Sequence, residues 1–366
     1  MGTTADKLNY LLDTKTAIKE AITTKGGTVA DDATFRSYAD SVLAISGGFP
    51  NGTEWTQSEL TLGYFHSIYN ANGIWVATNS SSYGCYYSED GKVWTRSNYT
   101  LGNFGAVYNA NGIWVAGCSS SNGLFYSEDG KVWTLSNITS DAFPAVYNAN
   151  GIWVAGGTGN GLYYSEDGKS WTRSNITSGA FLAVYNANGI WVAGGGAAHG
   201  LYYSEDGKVW TQSNTTSGKF DTVYNANGIW VAGGGSDKGL YYSEDGKSWT
   251  RSNITSGYFY SIYNANGIWV VGGGNTSGLY YSEDGKVWTR SNVKSGIFDT
   301  VYNANGIWVA GSDYNNGLYY STDGKKWTQS NITSENFRAV YYADGIWVAG
   351  SGSDKGLYYS VTWEPK

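Results

Sequence analysis

The chain has 366 residues, of which 41% are apolar and 16% aromatic, and it carries a formal net charge of −7. This length and composition suffice for a large buried core. The acidic balance, without a dense run of Lys or Arg, excludes a nucleic-acid-binding surface. No stretch approaches the ~18 apolar residues of a membrane-spanning helix. We therefore expect no nucleic-acid partner and no membrane insertion.

Residues 1–46 predict a small helical segment. From Thr4 to Lys25 apolar residues recur at helical spacing, and Gly26-Gly27 ends the pattern. Asp31-Asp32 then caps a second apolar stripe that ends at Ile45. Two helices of this size bury their apolar faces poorly without a partner. We expect an assembly module that makes the chain a homo-oligomer, with a trimer as one option, or docks it onto a larger particle. A loosely packed appendage is the alternative.

Two stretches of this segment carry a family resemblance. The first stretch is Ala5-Asp6-Lys7-Leu8-Asn9-Tyr10-Leu11-Leu12, and the second is Ala30-Asp31-Asp32-Ala33-Thr34-Phe35-Arg36-Ser37-Tyr38. Both resemble the N-terminus of tail-fibre and baseplate proteins of phages that infect Firmicutes. The resemblance covers this segment alone and includes no catalytic motif. It implies binding to other tail proteins through residues 1–46, a place in the virion, and release by host lysis. The polar start of the chain, which does not resemble a signal peptide, agrees with that route. Residues 47–52 are the predicted linker.

Residues 53–366 consist of near-identical repeats. One tryptophan recurs at intervals of 39 residues, with a single interval of 38, and a second tryptophan in Gly-Ile-Trp-Val keeps step with it. In the third repeat, short aromatic and β-branched runs separated by Gly, Asn or Asp predict four strands: Phe143–Tyr147, Ile152–Ala155, Leu162–Ser165 and Lys169–Ser174. The first turn is predicted at Asn148-Ala149-Asn150-Gly151. Four antiparallel strands per ~40 residues are typical of one propeller blade.

A turn motif recurs seven times between the third and fourth strands. Ser165-Glu166-Asp167-Gly168-Lys169-Ser170-Trp171 resembles the Asp box, Ser-x-Asp-x-Gly-x-x-Trp, although it is one residue shorter between Asp and Trp. The resemblance implies an Asp-box (BNR-type) propeller whose boxes lie away from the binding face. An Asp side chain can accept hydrogen bonds from backbone N–H groups of the turn, and Gly permits its tight geometry. We assign a structural role to Asp90, Asp129, Asp167, Asp206, Asp245, Asp284 and Asp323.

The two ends of the chain determine the number of blades. The last repeat lacks a fourth strand, whereas Thr53–Ser58 is an unpaired fourth strand before the first complete repeat. Pairing them removes two exposed edges. We predict an all-β fold: an eight-bladed β-propeller of four-stranded antiparallel blades, closed by the N-terminal strand, with a small N-terminal α-helical hairpin. Seven blades with a displaced terminal unit, or two stacked smaller rings, are disfavoured by the near-identity of the repeats.

The repeats differ from one another at two places: beside the Phe that opens strand one, and in the loop between strands two and three. Because strand direction alternates, both places open on one face of the ring, which we call the variable face. The opposite face is uniform. Eight different loop sets suit an asymmetric partner, and aromatic anchors in a polar surround suit recognition. We predict that this face binds a bacterial cell-surface glycan or protein. The alternative explanation of the variation is sequence drift in solvent-exposed loops that bind nothing. The predicted ligand-binding residues are Tyr64, His66, Tyr83, Asn103, His199, Lys219, Asp221, Lys238, Tyr258, Tyr260, Asp299, Tyr314, Arg338 and Lys355.

The sequence favours a binding protein over an enzyme. A sialidase-type site needs three converging arginines, but of the arginines in the repeats only Arg338 lies on the variable face. The others share one position on the outermost strand: Arg96, Arg173, Arg251 and Arg290. Asp221 and Asp299 could serve as a glycosidase carboxylate pair, yet nothing else marks them. A structural tail spacer without a ligand and a glycan-degrading enzyme are the alternatives.

The remaining polar residues predict no special chemistry. We expect no catalytic residue, no cofactor and no metal site, because His66 and His199 are far apart in sequence. Cys85 and Cys118 are expected to be free thiols, with a disulfide between blades as the alternative. Sequons such as Asn137-Ile138-Thr139 belong to the repeat, and we expect them to end strand four and begin a turn.

Overall fold

A computed structural model describes residues 11, 12, 14–20, 29, 30, 52–80, 84–99, 102–120, 122–235, 238–274, 277–314 and 316–361. Residues 11, 12 and 14–20 are helical and lie within the first predicted helix. The second predicted helix and the linker, apart from Gly52, fall outside the described residues. The larger of two compact units spans Gly52–Ser360. In the described part of the chain, no helix combines the length and apolar character needed to cross a membrane.

The described strands form eight antiparallel four-stranded sheets, one per blade. The first described strand, β1 (Thr56–Gln57), is the outer strand of blade 8, and the other three strands of that blade come last in the chain: β30 (Phe337–Ala343), β31 (Ile346–Ser351) and β32 (Leu357–Val361). Blades 1 to 4 follow β1 in chain order: β2 (Phe65–Ala71), β3 (Ile74–Asn79), β4 (Cys85–Ser88) and β5 (Thr95–Arg96) in blade 1; β6 (Phe104–Ala110), β7 (Ile113–Cys118), β8 (Leu124–Ser127) and β9 (Thr134–Leu135) in blade 2; β10 (Ala145–Ala149), β11 (Ile152–Gly156), β12 (Leu162–Ser165) and β13 (Thr172–Arg173) in blade 3; and β14 (Phe181–Ala187), β15 (Ile190–Gly195), β16 (Leu201–Ser204) and β17 (Thr211–Gln212) in blade 4. Blades 5 to 7 come next: β18 (Phe220–Ala226), β19 (Ile229–Gly234), β20 (Leu240–Ser243) and β21 (Thr250–Arg251) in blade 5; β22 (Phe259–Ala265), β23 (Ile268–Gly273), β24 (Leu279–Ser282) and β25 (Thr289–Arg290) in blade 6; and β26 (Phe298–Ala304), β27 (Ile307–Ser312), β28 (Leu318–Ser321) and β29 (Thr328–Gln329) in blade 7.

The chain closes into a single ring of eight blades, as predicted. Blade 8 has the order β1-β32-β31-β30, so its outer strand comes from the N-terminal side of the repeats. Thr56 pairs with Tyr359 and Gln57 with Tyr358. The innermost strands β2 and β30 contact each other and close the ring. The alternatives of seven blades and of two stacked rings are wrong.

The first and fourth strands of the third repeat have different bounds from those predicted, and the first begins at Ala145 instead of Phe143. Strand β10 continues to Ala149, because Asn148 and Ala149 still pair with β11. The turn is therefore only Asn150-Gly151, with φ of 53° and 81°, and two positive φ values are typical of the type I′ hairpin turn. The fourth strand, expected over Lys169–Ser174, is only Thr172–Arg173, because the preceding residues belong to the Asp turn.

The hydrophobic core lies between neighbouring blades. Val115 and Leu124 of blade 2, for example, pack against Phe143, Trp153 and Trp171 of blade 3, and each of these side chains is at most 3% exposed. Eight such clusters repeat around the ring. Large aromatic rings dominate the buried area, so the repeated tryptophans join each blade to the next.

A ring of eight tyrosines surrounds the axis. One tyrosine from each innermost strand packs on its two neighbours, with centroids 4.8–5.4 Å apart all the way round. Burial raises their pKa values above that of a free tyrosine. They are Tyr69, Tyr108, Tyr147, Tyr185, Tyr224, Tyr263, Tyr302 and Tyr341.

The repeated asparagine after strand four joins adjacent blades through hydrogen bonds. Asn98 Oδ1 accepts from the backbone N–H of Trp133 at 2.7 Å, and Asn98 Nδ2 donates to the carbonyl of Trp133 at 3.2 Å. Seven such asparagine clamps exist, the last between Asn331 and Trp55. The asparagines do begin a turn, but the sequence alone did not show that their amides bind the next blade.

Candidate functional site

A β-bulge opens the first strand of seven blades at the variable face. The register shifts between Phe65 and Ser67 in blade 1, which leaves His66 without a partner on β3, and the same shift recurs in every blade except blade 3. A bulge locally disrupts pairing and redirects a side chain. The residue after the opening Phe, which varies among the repeats, is thus the residue that the backbone leaves unpaired. These residues are His66, Gly105, Leu182, Asp221, Tyr260, Asp299 and Arg338, with Pro144 at the same position in blade 3.

Five consecutive blades bring polar bulge residues together. Arg338 of blade 8 reaches both neighbours: its Nη1 lies 3.4 Å from His66 Nε2, and its Nε lies 3.5 Å from Asp299 Oδ2. Lys219 and Asp221 of blade 5 form an ion pair at 2.7 Å. The other three blades place Gly105, Pro144 and Leu182 here, so the charged groups cover only one arc of the ring.

The loop between strands two and three of blade 7 completes this arc. Asp313 is 9% exposed, and its Oδ2 accepts a hydrogen bond from Arg338 Nη2 at 3.1 Å. Its Oδ1 accepts from the backbone N–H of Tyr314 at 3.0 Å. Tyr314 itself has φ +57° and is 71% exposed. A bulky side chain rarely adopts this backbone conformation. Asp313 therefore holds an aromatic ring at the edge of the site.

The polar arc surrounds a cavity of about 460 Å³, lined by His66, Tyr260, Ile297, Asp299, Asp313, Tyr314 and Arg338. The volume lies within the range of small-ligand sites. Tyr258 and Tyr260 stack beside it with centroids 6.2 Å apart and an interplanar angle of 19°. Gly352 leaves room for the arginine, because a Cβ there would lie 2.9 Å from Arg338 Cδ.

Burial disfavours the charged form of two ionisable groups in the cavity, and it therefore shifts their pKa values in opposite directions. Burial, and then the neighbouring Asp313 carboxylate, raise the pKa of Asp299 to about 6, although Arg338 opposes the shift. Burial and the Arg338 guanidinium lower the pKa of His66 to about 4, against a smaller opposing effect of Asp313. At neutral pH His66 is therefore uncharged and Asp299 is ionised at a desolvation cost.

The other predicted variable-face residues lie outside this arc. The carbonyls of Tyr64 and Asn103 accept backbone N–H groups of Ser80 and Ser119 in the adjacent loops. His199 lies over Phe181, with ring centroids 6.0 Å apart. Two further predicted residues belong to loops whose backbone is used for packing: Lys238, whose carbonyl accepts from Arg251, and Lys355, whose carbonyl accepts from Gln57. Tyr83 is outside the described residues.

Asp313 and Ile297 line the cavity but were not predicted. Asp313 occupies a position that Gly196, Gly235, Gly274 and other small residues fill in the remaining blades. A carboxylate in place of a glycine was therefore a signal in the sequence. Its partner, however, lies on another blade, and that pairing is visible only in three dimensions.

The uniform face places its carboxylates in turns. Asp167 Oδ1 accepts from the backbone N–H groups of Lys169 at 2.8 Å and Ser170 at 2.7 Å, and from the Ser165 hydroxyl at 2.9 Å. Burial alone would raise the pKa of Asp167, but these hydrogen bonds outweigh it and lower the pKa. The same geometry recurs at the other six boxes: Asp90, Asp129, Asp206, Asp245, Asp284 and Asp323. Each of these carboxylates therefore accepts hydrogen bonds from the backbone of its own turn.

Ion pairs link the boxes of successive blades. The Glu of one box meets the Lys of the next in six pairs among the described residues, for example Glu89 with Lys131. Cys85 and Cys118 are both buried and free, as expected. No cluster of three or more metal-binding side chains occurs in the described part of the chain.

Comparisons with known proteins identify the fold and nothing finer. No family model matches the sequence, and no curated protein matches it significantly. The solved structures show an eight-bladed β-propeller. A computationally designed protein, Ika8, superposes with a TM-score of 0.68 at 12% identity, over 83% of this chain and 98% of its own. YCF48 bound to D1 peptide gives a TM-score of 0.54 at 14% identity, over 84% of this chain and 100% of its own.

An enzyme also shares the architecture. The GH74 xyloglucanase from Xanthomonas campestris matches with a TM-score of 0.56 at 12% identity, over 83% of this chain and 60% of its own. Designed, peptide-bound and hydrolytic proteins thus have similar folds. At these identities the likeness extends to the fold alone, so function has to be argued from the site.

Proposed function

We propose that the chain is a non-enzymatic recognition protein that binds a bacterial surface glycan, or a surface protein, through the variable face. The observation that carries this proposal is the cavity on the polar arc: side chains from four consecutive blades line it, and His66, Tyr260, Asp299 and Arg338 among them stand at backbone bulges. On the uniform opposite face, by contrast, the Asp-box carboxylates accept hydrogen bonds from their own backbone and the box glutamates of the described ion pairs are bound to lysines. A peptide-bound protein, YCF48 bound to D1 peptide, is among the proteins of similar fold. Its presence there is consistent with a binding role for this chain.

We further propose that the propeller is of the Asp-box type and that residues 1–46 attach the chain to a phage tail. The seven Ser-x-Asp-Gly turns and the resemblance of the N-terminal segment support this. In the helix, Leu11 and Leu12 are more than half exposed. Exposed leucines on a helix favour a partner, either another copy of the chain or a tail protein. An oligomer would present several weak sites at once and gain avidity.

Catalysis is the second candidate. The observation that favours it is the raised pKa of Asp299 in a cavity that also holds Asp313, since a general acid of a glycosidase has such a pKa. Against it, both carboxylates flank the same guanidinium, which fixes them as counter-ions of Arg338. Release of reducing sugar from purified cell walls by the intact chain would favour the hydrolase over the recognition protein.

The recognition proposal is tested by binding of the full-length chain to cells of Gram-positive candidate hosts. The test variant carries Tyr258→Ser and Tyr314→Asn, which remove exposed rings from the variable face; Asn tolerates the positive φ at 314. The matched control carries Val209→Ser and Val287→Ser, which change two exposed apolar residues at the boxes of the opposite face.

We expect the test variant to lose at least ten-fold in cell binding at an unchanged melting temperature, while the control keeps its binding. Periodate treatment of the cells then separates a glycan from a protein ligand. Equal binding by both variants, or no binding to any host, would favour the structural tail spacer instead.

A further inference from the structure

The charges in the polar arc do not balance. Three carboxylates, Asp221, Asp299 and Asp313, face two cations, Lys219 and Arg338, while His66 is neutral. The arc therefore carries a net charge of about −1 at neutral pH. An anionic ligand would meet this charge without a free cation to receive it, because Arg338 is already shared among two carboxylates and the imidazole of His66. Like charges in close contact are costly, so the arc disfavours acidic sugars and phosphates.

Asp299 is the carboxylate with unused binding capacity. Its side chain is 22% exposed, and its nearest cation, Arg338 Nε, is 3.5 Å away. Among the described residues neither of its oxygens accepts a hydrogen bond, whereas Asp313 accepts two. A largely buried carboxylate without a donor is unfavourable. Asp221 likewise has one oxygen, Oδ2, that is buried and has no partner in the described part of the chain. Of these two carboxylates, only Asp299 lines the cavity and can therefore accept a hydrogen bond from a ligand.

Aromatic rings stand around these carboxylates. Tyr260 lines the same cavity as Asp299. Burial, followed by the fields of Asp221 and Asp299, raises the pKa of Tyr260. Tyr258 stacks on Tyr260, and Tyr314 lines the same cavity. Tyrosine faces attract cations and also stack on sugar rings. A cavity with a surplus negative charge, an acceptor without a donor and aromatic walls has the chemistry of an ammonium site.

We propose that the cavity receives a protonated amino group carried on a sugar, with Asp299 as its main acceptor and Tyr260 and Tyr314 against the sugar ring. The ligand class is thus a glycan with free, unacetylated amino groups. This inference rests on the proposed recognition function and narrows it.

The probes are glucosamine, N-acetylglucosamine and glucose, titrated into the full-length chain at pH 7 and followed by ligand-observed NMR. They differ only in the group at one carbon, which is an ammonium, an amide or a hydroxyl. We expect glucosamine to bind at least ten-fold tighter than either neutral sugar. Asp299→Asn, which keeps the shape and removes the charge, should reduce glucosamine binding to the level of N-acetylglucosamine.

The matched control is Asp344→Asn. This exposed aspartate lies in the uniform-face turn of blade 8 at φ 51°, where seven other blades have asparagine, so the substitution removes one charge without disturbing the fold. It should leave glucosamine binding unchanged. Equal affinity for the three sugars, preference for a neutral sugar, an indifferent Asp299→Asn variant, or no binding of any probe would each overturn the amine assignment.

The two proposals fail separately. If cell binding depends on Tyr258 and Tyr314 but glucosamine is not preferred, only the ligand class is wrong. If cell binding is also absent, the recognition function itself falls. A melting temperature measured for each variant verifies that a loss of binding is not a loss of folding.

Discussion

The ring has one junction that lacks an asparagine clamp, and restoring it should stabilise the protein. Between blades 8 and 1, Glu59 occupies the position that an asparagine fills in the seven other junctions. Trp94 is the tryptophan that the missing clamp would bind, and it is more exposed than its seven counterparts, which are at most 4% exposed. We therefore predict that Glu59→Asn creates the eighth clamp.

The magnitude follows from the existing clamps. Each consists of two hydrogen bonds between an amide side chain and the backbone, such as those of Asn331 with Trp55 at 2.8 and 3.0 Å. A net gain of about 0.5–1.5 kcal/mol per hydrogen bond, taken at its lower end because Glu59 is exposed, gives about 1 kcal/mol. With an unfolding entropy of about 2.1 cal/mol/K per residue, a propeller of this size should gain about 1–2 °C in Tm.

Calorimetry of the full chain and urea unfolding measure this gain. Glu59→Gln is the matched control, because it removes the same charge but places its amide one methylene further out. Glu59→Asn should be more stable than both Glu59→Gln and the parent chain. If the two variants were equally stable, charge removal would explain the effect, and the clamps would not contribute as we argue.

Two further predictions concern the cavity and the helix. In urea unfolding between pH 4 and 6, His66→Gln and Asp299→Asn should change the pH dependence of stability in opposite directions. The pKa of His66 is lowered to about 4 from 6.5 in the unfolded chain, so His66 makes the free energy of unfolding rise with pH, and its removal flattens that rise. The pKa of Asp299 is raised to about 6 from 3.8, so Asp299 makes the free energy of unfolding fall with pH. Removal of Asp299 therefore makes the overall increase of stability with pH steeper. Each contribution is at most about 3 kcal/mol, and changes of the same sign in both variants would refute the assignment. For the helix, Leu11→Asp with Leu12→Asp should reduce the molar mass measured by light scattering to that of one chain, whereas Lys15→Glu should not; an unchanged mass would argue against an assembly role.

The architecture could be predicted from the sequence because the motifs that determine its strands and turns are repeated in the blades. The spacing of the tryptophans predicted eight blades, and the unpaired run around Trp55 predicted how the ring closes. Repetition averages out local ambiguity, since the Asn150-Gly151 turn has six other Asn-Gly copies and one Asp-Gly copy, Asp344-Gly345. The short fourth strand was not predicted, because hydrogen bonds from the backbone to Asp167 compete with strand pairing over residues that look extended.

The site was predictable in place but not in composition. Variation among repeats located the variable face, and His66, Asp299 and Arg338 were chosen individually. Their mutual contacts, and the participation of Asp313, depend on which blades become neighbours after the bulges redirect the side chains. Variation also has a packing cause, as His199 over Phe181 shows, and sequence comparison alone cannot separate that cause from recognition.

The closing strand also determines how the propeller responds to force. Strand β1 is held in blade 8 by two residue pairs, by hydrogen bonds from Gln57 and Ser58 to the carbonyls of Lys355 and Leu357, and by the buried Trp55 ring. The clamp from Asn331 adds a tie to blade 7. Tension applied through the N-terminal side of the chain enters the ring at this short strand before it reaches any other blade. A load on a chain anchored by that end is therefore resisted first by the few contacts of this strand. Peeling β1 away would open the ring at blade 8 while blades 1–7 retain all four of their strands.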